Sequence, residues 1–409
     1  MARQMKDSGV EWIGEIPEDT KLIQLRFIAY ITTGNMDTQN RENDGEYPFY
    51  VRSPKVERSN QYSFDDVEAI LMAGDGVGAG RVFHYVQGKY ACHQRVYRMN
   101  NFRYVQSSFL KYYLEGLFPM IMDQGSAKST VDSVRLPMLQ GFKVVVFNEA
   151  EQQKIVDFLD EKVGEIDSVI AKTKETIEDY KKYKQAIITD AVTKGIYDTV
   201  TLKATENVHI DKIPAHWDMK KLKYVFYIKK DIAGKEGYDI LSITQKGIKI
   251  KDISINEGQL AESYSNYQLV NVGDFAMNHM DLLTGWVDVS KYSGVTSPDY
   301  RVFNFIDKSA YCKEYYLYLM QMCYMNKIFY GLGQGVSNLG RWRLQADKFL
   351  NFTIPMPPLC EQREIAEYLD EKCSEIDKLV AKKEELLVDL ESYKKSLIYE
   401  YVTGKKEVE

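Results

Sequence analysis

A basic stretch in the first half of the chain has the residue types that bind phosphate. From Arg81 to Lys111 the sequence contains six Arg or Lys residues and no Asp or Glu. Aromatic residues are interleaved with these cations, among them Phe83, Tyr85, Tyr90, Tyr97, Phe102 and Tyr104. Basic side chains neutralise phosphates, so the composition is typical of a surface that follows a nucleic-acid backbone. A solvated strand that merely lacks acidic residues is the alternative.

Nineteen side chains are candidates for contact with nucleic acid. In the first half they lie in the basic stretch and in a loop of small residues, where backbone amides can approach a phosphate. They are Arg81, His84, Lys89, Gln94, Arg95, Arg98, Ser126, Lys128 and Ser129. Those of the second half are Lys246, Lys249, Asn278, His279, Tyr300, Arg301, Gln334, Asn338, Arg341 and Arg343. Gln334-Gly335 repeats Gln124-Gly125 of the first loop. For any one of the nineteen, an ordinary surface role is an equally good interpretation.

The glycine-rich segment from Gly74 to Gly80 predicts a tight turn and not a nucleotide-binding loop. A loop that binds nucleotide phosphates must open a helix, whose N-terminal amides then contact the phosphates. The residues that follow, Arg81 to Val86, are rich in β-branched and aromatic side chains, which favour a strand.

The sequence has no recognisable catalytic or metal-binding pattern. Met356-Pro357-Pro358-Leu359 is similar in outline to the Asp/Asn-Pro-Pro-Tyr/Phe segment of amino-methyltransferases, but it lacks both the polar residue and the aromatic residue which that chemistry needs. The five histidines form no ligand pair at helical spacing, and the five cysteines show no Cys-x-x-Cys spacing. We therefore expect no catalytic residues, no metal site and no disulfide framework.

The chain repeats itself once, at about half its length. Residues 151–162 read EQQKIVDFLDEK and residues 361–372 read EQREIAEYLDEK. Of the 45 positions from 151 to 195, 19 are identical to those from 361 to 405. The two halves also open alike, at Trp12–Pro17 and at His209–Pro214. Solenoid repeats are only about 20 to 50 residues long, so this repeat indicates two domains in tandem.

Each copy of the repeat predicts a long helix with an apolar seam. Apolar residues recur at alternating steps of four and three, the heptad pattern of a coiled coil. The seam comprises Leu159, Val163, Ile166, Ile170, Ile177, Tyr180 and Ile187 in the first copy, and Leu369, Ile376, Val380, Leu387, Leu390 and Leu397 in the second. Polar residues such as Lys184 and Lys394 interrupt it, and we expect them to help fix the register. At about 1.5 Å per residue such helices span roughly 50 Å. The two helices could therefore pair with each other and act as a ruler that sets the distance between the flanking domains. A surface helix of a larger core is the alternative.

The segments between the repeats predict a mixed α/β fold. Strand-like runs are Val67–Met72, Arg81–Val86, Lys143–Phe147 and Tyr300–Phe305, and helix-like runs are Gln106–Leu117 and Cys312–Phe329. We expect two globular domains that alternate with two long helices paired as an antiparallel coiled coil, in a pseudo-twofold internal repeat. The predicted boundaries are 1–148 and 196–358 for the globular domains, and 149–195 and 359–409 for the helices.

The net charge of −6 is unevenly distributed over the 409 residues. Residues 149–195 carry 8 basic and 11 acidic side chains and residues 361–409 carry 9 and 14, so these helices sum to −8 and the remainder to +2. Acidic charge therefore lies in the helices, and the globular parts can still bind phosphates. No run of 18 apolar residues occurs and the segment from Met1 to Glu15 is rich in polar and charged residues, so we expect a soluble, cytoplasmic protein without a membrane partner.

The order of these segments resembles the specificity subunit of type I restriction-modification systems. Two different globular domains alternate with two repeated helices, which Phe147–Gln152 and Pro357–Gln362 introduce. Trp12–Pro17 is similar to the segment that opens each half in that family, and Met280–Trp286 with Ser297–Tyr300 is similar to a stretch of its recognition domains. The resemblance covers the whole chain, although the first helix lacks the proline-rich lead of the second.

The resemblance implies a non-catalytic subunit that binds double-stranded DNA at a bipartite, asymmetric site. Each globular domain would be a target recognition domain, and the helices would fix the spacer between the half-sites. It also implies two methyltransferase subunits, which bring S-adenosylmethionine, and two motor-nuclease restriction subunits, which use ATP and Mg. The whole complex would then be a type I restriction endonuclease and adenine-N6 DNA methyltransferase, while this chain itself would hold no cofactor.

Two other classes of protein remain open. A coiled-coil scaffold without DNA readout would explain the helices, but neither the basic stretch nor the different contents of the two halves. A self-sufficient nuclease or methyltransferase would need the catalytic residues that the sequence lacks.

Overall fold

A computed structural model describes residues 3–125, 132–197, 199–252, 263–335 and 342–408. The chain forms two compact units. The first unit comprises Met1–Glu175 and Glu384–Glu409, and the second comprises Thr176–Lys383. Within the described ranges, no helix is long and apolar enough to cross a membrane.

The first unit is built on a six-stranded sheet with the strand order β4-β9-β7-β8-β5-β6. Its strands are β1 (Met5–Asp7), β2 (Glu15–Pro17), β3 (Lys21–Gln24), β4 (Tyr30–Thr33), β5 (Tyr47–Tyr50), β6 (Glu57–Ser59), β7 (Phe64–Ala73), β8 (Phe83–Cys92), β9 (Val96–Asn100) and β10 (Lys143–Val146). Its helices are α1 (Leu25–Ile28), α2 (Ser107–Gly125), α3 (Leu136–Gly141), the first part of α4 (Glu149–Lys194) and the last part of α8 (Leu359–Val402). The sheet is antiparallel except where β5 pairs with β8. Smaller antiparallel pairs join β1 to β2 and β3 to β10.

The second unit has a smaller central sheet with the strand order β14-β21-β18-β19. Its strands are β11 (Leu202–Asn207), β12 (Ile210–Pro214), β13 (Asp218–Lys221), β14 (Phe226–Lys229), β15 (Leu241–Thr244), β16 (Gly247–Ile250), β17 (Gln268–Val270), β18 (Phe275–Met277), β19 (Val287–Val289), β20 (Gly294–Thr296), β21 (Arg301–Phe305), β22 (Gln334–Gly335), β23 (Trp342–Arg343) and β24 (Thr353–Met356). Its helices are α5 (Lys313–Met325), α6 (Ile328–Leu332), α7 (Ala346–Asn351), the last part of α4 and the first part of α8. Short 3-10 turns at Thr38–Asn40 and Leu222–Tyr224 complete the two units.

The mixed α/β character predicted from the sequence is confirmed. The four strand-like runs correspond to β7, β8, β10 and β21, and the helix-like runs correspond to α2 and to α5 with α6. The glycine-rich segment is the predicted turn, since it connects β7 directly to β8 in an antiparallel pair. At Gly80 the backbone has φ +64°, and an added Cβ would lie 2.7 Å from Cγ of Met122. Glycine is needed there for conformation and for space.

Each unit has its own aromatic core, which includes side chains of one helix of its globular domain. These domain helices are α2 in the first unit and α5 in the second. In the first unit, Phe109, Tyr113 and Phe118 of α2 are fully buried against the sheet and the long helices. In the second unit, Tyr315 and Tyr316 of α5 are likewise fully buried in the core. Burial of such side chains contributes about 1.5 to 3 kcal/mol each, so each unit has an independent apolar basis for its stability.

The two long helices are uninterrupted over 46 and 44 residues. In the first unit, Lys394 of α8 donates to Asp167 of α4 at 2.7 Å. In the second unit, Lys184 of α4 donates to Asp377 of α8 at 2.7 Å. Two of the lysines that interrupt the apolar seam therefore form ion pairs from one long helix to the other.

A repeated glutamine fastens the start of each long helix. Gln152 and Gln362 are 2% and 1% exposed. Gln152 donates to the carbonyl of Phe147 at 2.8 Å, and Gln362 donates to the carbonyl of Pro357 at 2.9 Å. Each side-chain oxygen also accepts from a backbone amide at the start of the domain helix, at 2.8 Å and 2.9 Å. The repeated glutamine thus ties each long helix to its globular domain.

Candidate nucleic-acid interface

Arg98 lies in the interior of the first unit. Its Nε donates to Asp66 at 2.8 Å, its Nη2 donates to the other carboxylate oxygen, and its side chain is only 10% exposed. Asn100 and Tyr90 donate to the same carboxylate. Burial acts to raise the pKa of Asp66, but hydrogen bonds from Arg98 and Tyr90 outweigh it, so that pKa is lowered. A DNA contact from Arg98 would require breaking this cluster.

The second unit contains a similar buried carboxylate. Asp274 accepts from Lys229 and from Asn304, both at 2.6 Å, and all three residues are less than 9% exposed. In the interior of both units, an aspartate therefore neutralises a cation and accepts a hydrogen bond from an asparagine. These charged residues already have partners inside the fold, which a ligand would have to displace.

Gln94 and Arg95 lie in the exposed turn of the first sheet between the end of β8 and the start of β9. Nη1 of Arg95 donates to one oxygen of Asp75 at 2.6 Å, and Nη1 of Arg52 donates to the other at 2.9 Å. The two arginine side chains are 62% and 44% exposed. Gln94 donates to Asp37 at 2.8 Å. We call Arg52, Asp75, Gln94 and Arg95 the edge cluster. Because two arginines share one carboxylate, the arginines and Asp75 together keep a positive charge at the surface.

The other candidates of the basic stretch lie in different surroundings. Arg81 donates to Asp123 at 2.7 Å and to Asp132 at 2.8 Å, so two carboxylates neutralise it. His84 lies 3.3 Å from a backbone carbonyl, and burial lowers its pKa. Lys89 is exposed, with its Nζ 4.9 Å from the centre of a tyrosine ring. Of these three, Lys89 is the most accessible to an anionic ligand.

A cleft of about 740 Å³ in the second unit brings together His279, Tyr300, Arg301 and Arg343, and we call it the Arg301 cleft. Arg301 is 4% exposed, and its Nη2 donates to the carbonyl of Leu344 at 2.8 Å. Burial lowers the pKa of Arg301 to about 10 and that of His279 to about 3. At neutral pH the arginine is therefore charged and the histidine is neutral.

The remaining candidates of the second unit are dispersed. Gln334 pairs with Arg343 across β22 and β23 and accepts from a neighbouring glutamine at 2.6 Å. Asn278 accepts from two backbone amides at 3.2 Å and lines an adjacent cleft with Tyr300. Lys246 is exposed in the turn between β15 and β16, and Lys249 is exposed on β16.

Five candidates fall outside the described residues: Ser126, Lys128, Ser129, Asn338 and Arg341. In the part of the chain that is described, no group of three or more His, Cys, Asp or Glu side chains could hold a metal ion.

Two cations that were not among the candidates join these sites. Arg52 belongs to the edge cluster, and Lys230 lines the Arg301 cleft. Their sequence signals are short basic runs, namely Arg52 with Lys55 and Arg58, and Lys229 with Lys230. These runs are shorter than the basic stretch and contain no aromatic residues, so composition alone does not identify them.

A family model and two related proteins all point to one family. A family model described as the type I restriction modification DNA specificity domain matches residues 17–179 and again residues 214–387. The type I restriction enzyme EcoDI specificity subunit of Escherichia coli is 26% identical over 237 residues, which cover 54% of this chain and 51% of that protein. The type I restriction enzyme MjaVIII specificity subunit of Methanocaldococcus jannaschii is 24% identical over 417 residues, which cover 95% and 93%. The match thus spans about half the length of the first relative and nearly all of the second.

A solved structure supports the fold. It is described as the structural basis of complex assembly and conformational transition of the type I R-M system. One of its chains is similar to this chain with a TM-score of 0.64 and 13% identity, over 95% of this chain and 98% of that chain. At this identity the similarity establishes a shared fold.

Proposed function

The chain belongs to the family of type I restriction-modification DNA specificity subunits, and we propose that each of its halves reads one part of an interrupted DNA site. The observation that carries this proposal is the double match to the specificity-domain model, at residues 17–179 and 214–387. Two copies of such a domain supply two readers. Because the halves differ in their polar side chains, the two half-sites should differ in sequence.

In the first half, we propose that the edge cluster contacts DNA. The two arginine side chains are largely exposed, so either one can turn from Asp75 to another acceptor at a cost of about 0 to 1 kcal/mol while the other arginine stays paired with this carboxylate. A phosphate oxygen or the O6 and N7 edge of guanine suits an arginine, and the amide of Gln94 suits the N6 and N7 edge of adenine. Lys89 would add a phosphate contact.

In the second half, we propose that exposed Arg343 and Gln334 on the β22–β23 hairpin and exposed Lys246 and Lys249 near β16 serve the same purpose. The candidates outside the described residues stay proposals that rest on the sequence alone. Arg98 is left out of the proposed interface because its guanidinium is neutralised in the interior.

We further propose that α4 and α8 pair along their length as an antiparallel coiled coil and relate the halves by a pseudo-twofold axis. The support is the relation between two ion pairs. Lys394 lies 210 residues after Lys184 (394 − 184), and Asp377 lies 210 residues after Asp167 (377 − 167). Exchange of the two halves therefore converts one ion pair into the other. The proposed segments are target recognition domains at 1–148 and 196–358 and helices at 149–195 and 359–409.

The proposed complex contains partners that supply all of the chemistry. The helices would set the spacer and dock two methyltransferase subunits with S-adenosylmethionine. Two motor-nuclease subunits would add ATP-dependent cleavage. We propose that this chain itself is not an enzyme and binds no cofactor.

Salt-dependent DNA binding separates this function from a coiled-coil scaffold. The logarithm of the binding constant of the full chain for duplex DNA should fall linearly with the logarithm of the salt concentration. The slope should be about −0.9 for each phosphate contact. If the chain binds no DNA at low salt, the result favours the coiled-coil scaffold.

Methyl transfer separates it from a self-sufficient methyltransferase. The purified chain with S-adenosylmethionine should not methylate DNA, and methylation should appear when a methyltransferase subunit is added. Methyl transfer by the chain alone would contradict the proposal.

A further inference from the structure

The Arg301 cleft contains a buried cation without a counter-ion. No described residue hydrogen-bonds to Nη1 of Arg301, and the guanidinium lies 4.8 Å from the centre of the Phe349 ring. In the described part of the chain, no carboxylate forms an ion pair with it. The two other buried cations, Arg98 and Lys229, each have an aspartate at hydrogen-bond distance. Burial of an unpaired charge is costly, so Arg301 stands apart as a group that lacks its partner.

A second unpaired polar atom belongs to the same cleft. His279 is 6% exposed, and its Nδ1 has no hydrogen-bond partner among the residues that the structure describes. Buried polar groups in proteins are nearly always bonded, so two unpaired groups in the lining of one cleft point to a ligand that accepts or donates there.

The remaining charges of the cleft favour an anion. Lys230, Arg343 and Asp347 line it together with Arg301. Lys229 also lines the cleft, but Asp274 neutralises it. Three cations against one carboxylate leave a positive cleft. A monovalent carboxylate needs one such cation, whereas a phosphate group can use several, and guanidinium groups match its oxygens in geometry.

We propose that the Arg301 cleft is an oxyanion site that takes a phosphate group, with Arg301 and His279 as its buried ligands and Arg343 and Lys230 as supporting cations. The phosphate is either a phosphodiester of bound DNA or a free phosphate. The first source rests on the proposed DNA-reading function, and the second does not.

The first test is thermal unfolding of the full chain in sodium phosphate and in sodium chloride of equal ionic strength. A bound ligand stabilises in proportion to ln(1 + [L]/Kd), so the midpoint should rise with phosphate concentration. Arg301→Met removes the charge and keeps a similar volume, so without phosphate this variant should unfold at the same or a higher temperature. Its affinity for inorganic phosphate should fall by roughly tenfold or more.

Two further variants are matched controls. Phosphate also stabilises proteins by exclusion from their surface, and Lys212→Met, an exposed change on β12 outside the cleft, should respond to phosphate like the unaltered chain. Arg343→Ala removes an exposed cation of the cleft and leaves the buried residues in place. It should weaken phosphate binding several-fold, and it keeps the proposal testable if Arg301→Met does not fold.

Duplex DNA identifies the source of the phosphate. If a phosphodiester occupies the cleft, Arg301→Met should lower the salt slope of DNA binding by about 0.9. If free phosphate occupies it, DNA binding of the variant should be unchanged while the phosphate-dependent stabilisation is lost. Equal responses of the unaltered chain and of Arg301→Met to phosphate and to DNA, together with an unchanged response of Arg343→Ala to phosphate, would overturn the proposal. A chain that binds phosphate but no DNA would contradict the proposed function and leave the oxyanion site standing.

Discussion

At the scale of single residues, Arg95 and Arg98 show how burial separates two neighbouring arginines. Arg95→Ala removes an exposed side chain, so we expect a stability change within about 0.5 kcal/mol and a DNA salt slope smaller by about 0.9. Arg98→Ala leaves Asp66 buried without its cation and should cost about 3 to 5 kcal/mol. Urea unfolding and DNA titrations in several salt concentrations measure both effects. Equal stability of the two variants would contradict the assignment of Arg98 to the core.

The sequence could predict the basic stretch but not the role of each cation within it. Composition identifies six cations without acidic neighbours along the chain. The neutralising carboxylates come from elsewhere, as Asp66 does for Arg98 and Asp132 does for Arg81. Pairing across a sheet brings such residues together, and one sequence does not encode it in a local pattern. For the same reason the sequence does not reveal the Arg301 cleft, whose lining comes from β14, β17, β21, β23, α7 and the loops between them.

At the scale of elements, two helical glycines provide a matched pair of substitutions. Gly164 of α4 has open space where a Cβ would be, so Gly164→Ala should stabilise by about 0.5 to 1 kcal/mol through helix propensity. In α2, the Cβ of Gly116→Ala would lie 2.7 Å from Cγ2 of Ile398 in α8. Overpacking typically costs about 1 to 3 kcal/mol, which exceeds the gain in propensity. The thermal midpoint should therefore rise for Gly164→Ala and fall for Gly116→Ala. A rise for both would show that α2 and α8 are not closely packed at this point.

Periodicity could predict the long helices because their apolar spacing is local. Leu159, Val163 and Leu369 of the predicted seam are less than 9% exposed. Near the end of α4, however, Ile188 is 3% exposed, whereas Ile187 is only partly buried. Ile188 belongs to the core of the second unit, so here the globular domain also determines which face is buried. A heptad count describes contact between helices alone and does not foresee this change.

At the scale of the whole molecule, the proposed ruler predicts that longer helices recognise a longer DNA spacer. The compact units divide the long helices after Glu175 and after Lys383. Insertion of four residues at both positions adds about 6 Å at 1.5 Å per residue, and it nearly preserves the apolar seam. Since B-DNA rises about 3.4 Å per base pair, the preferred spacer should grow by one or two base pairs. The same four residues inserted after Gly234, in an exposed turn of the second unit, should leave the spacer unchanged. An unchanged spacer in the folded helix variant would contradict the ruler.

The central claim, that one chain carries two different DNA readers, is tested most directly by selection from a library of random duplexes. The full chain, with and without a methyltransferase subunit, is used to capture DNA, and the bound duplexes are sequenced. We expect two short motifs of different sequence, separated by a gap of constant length and random composition. Substitution of Arg95 in the first half should relax one motif and leave the other intact. Enrichment of a single uninterrupted motif, of two identical motifs or of no motif would contradict the account.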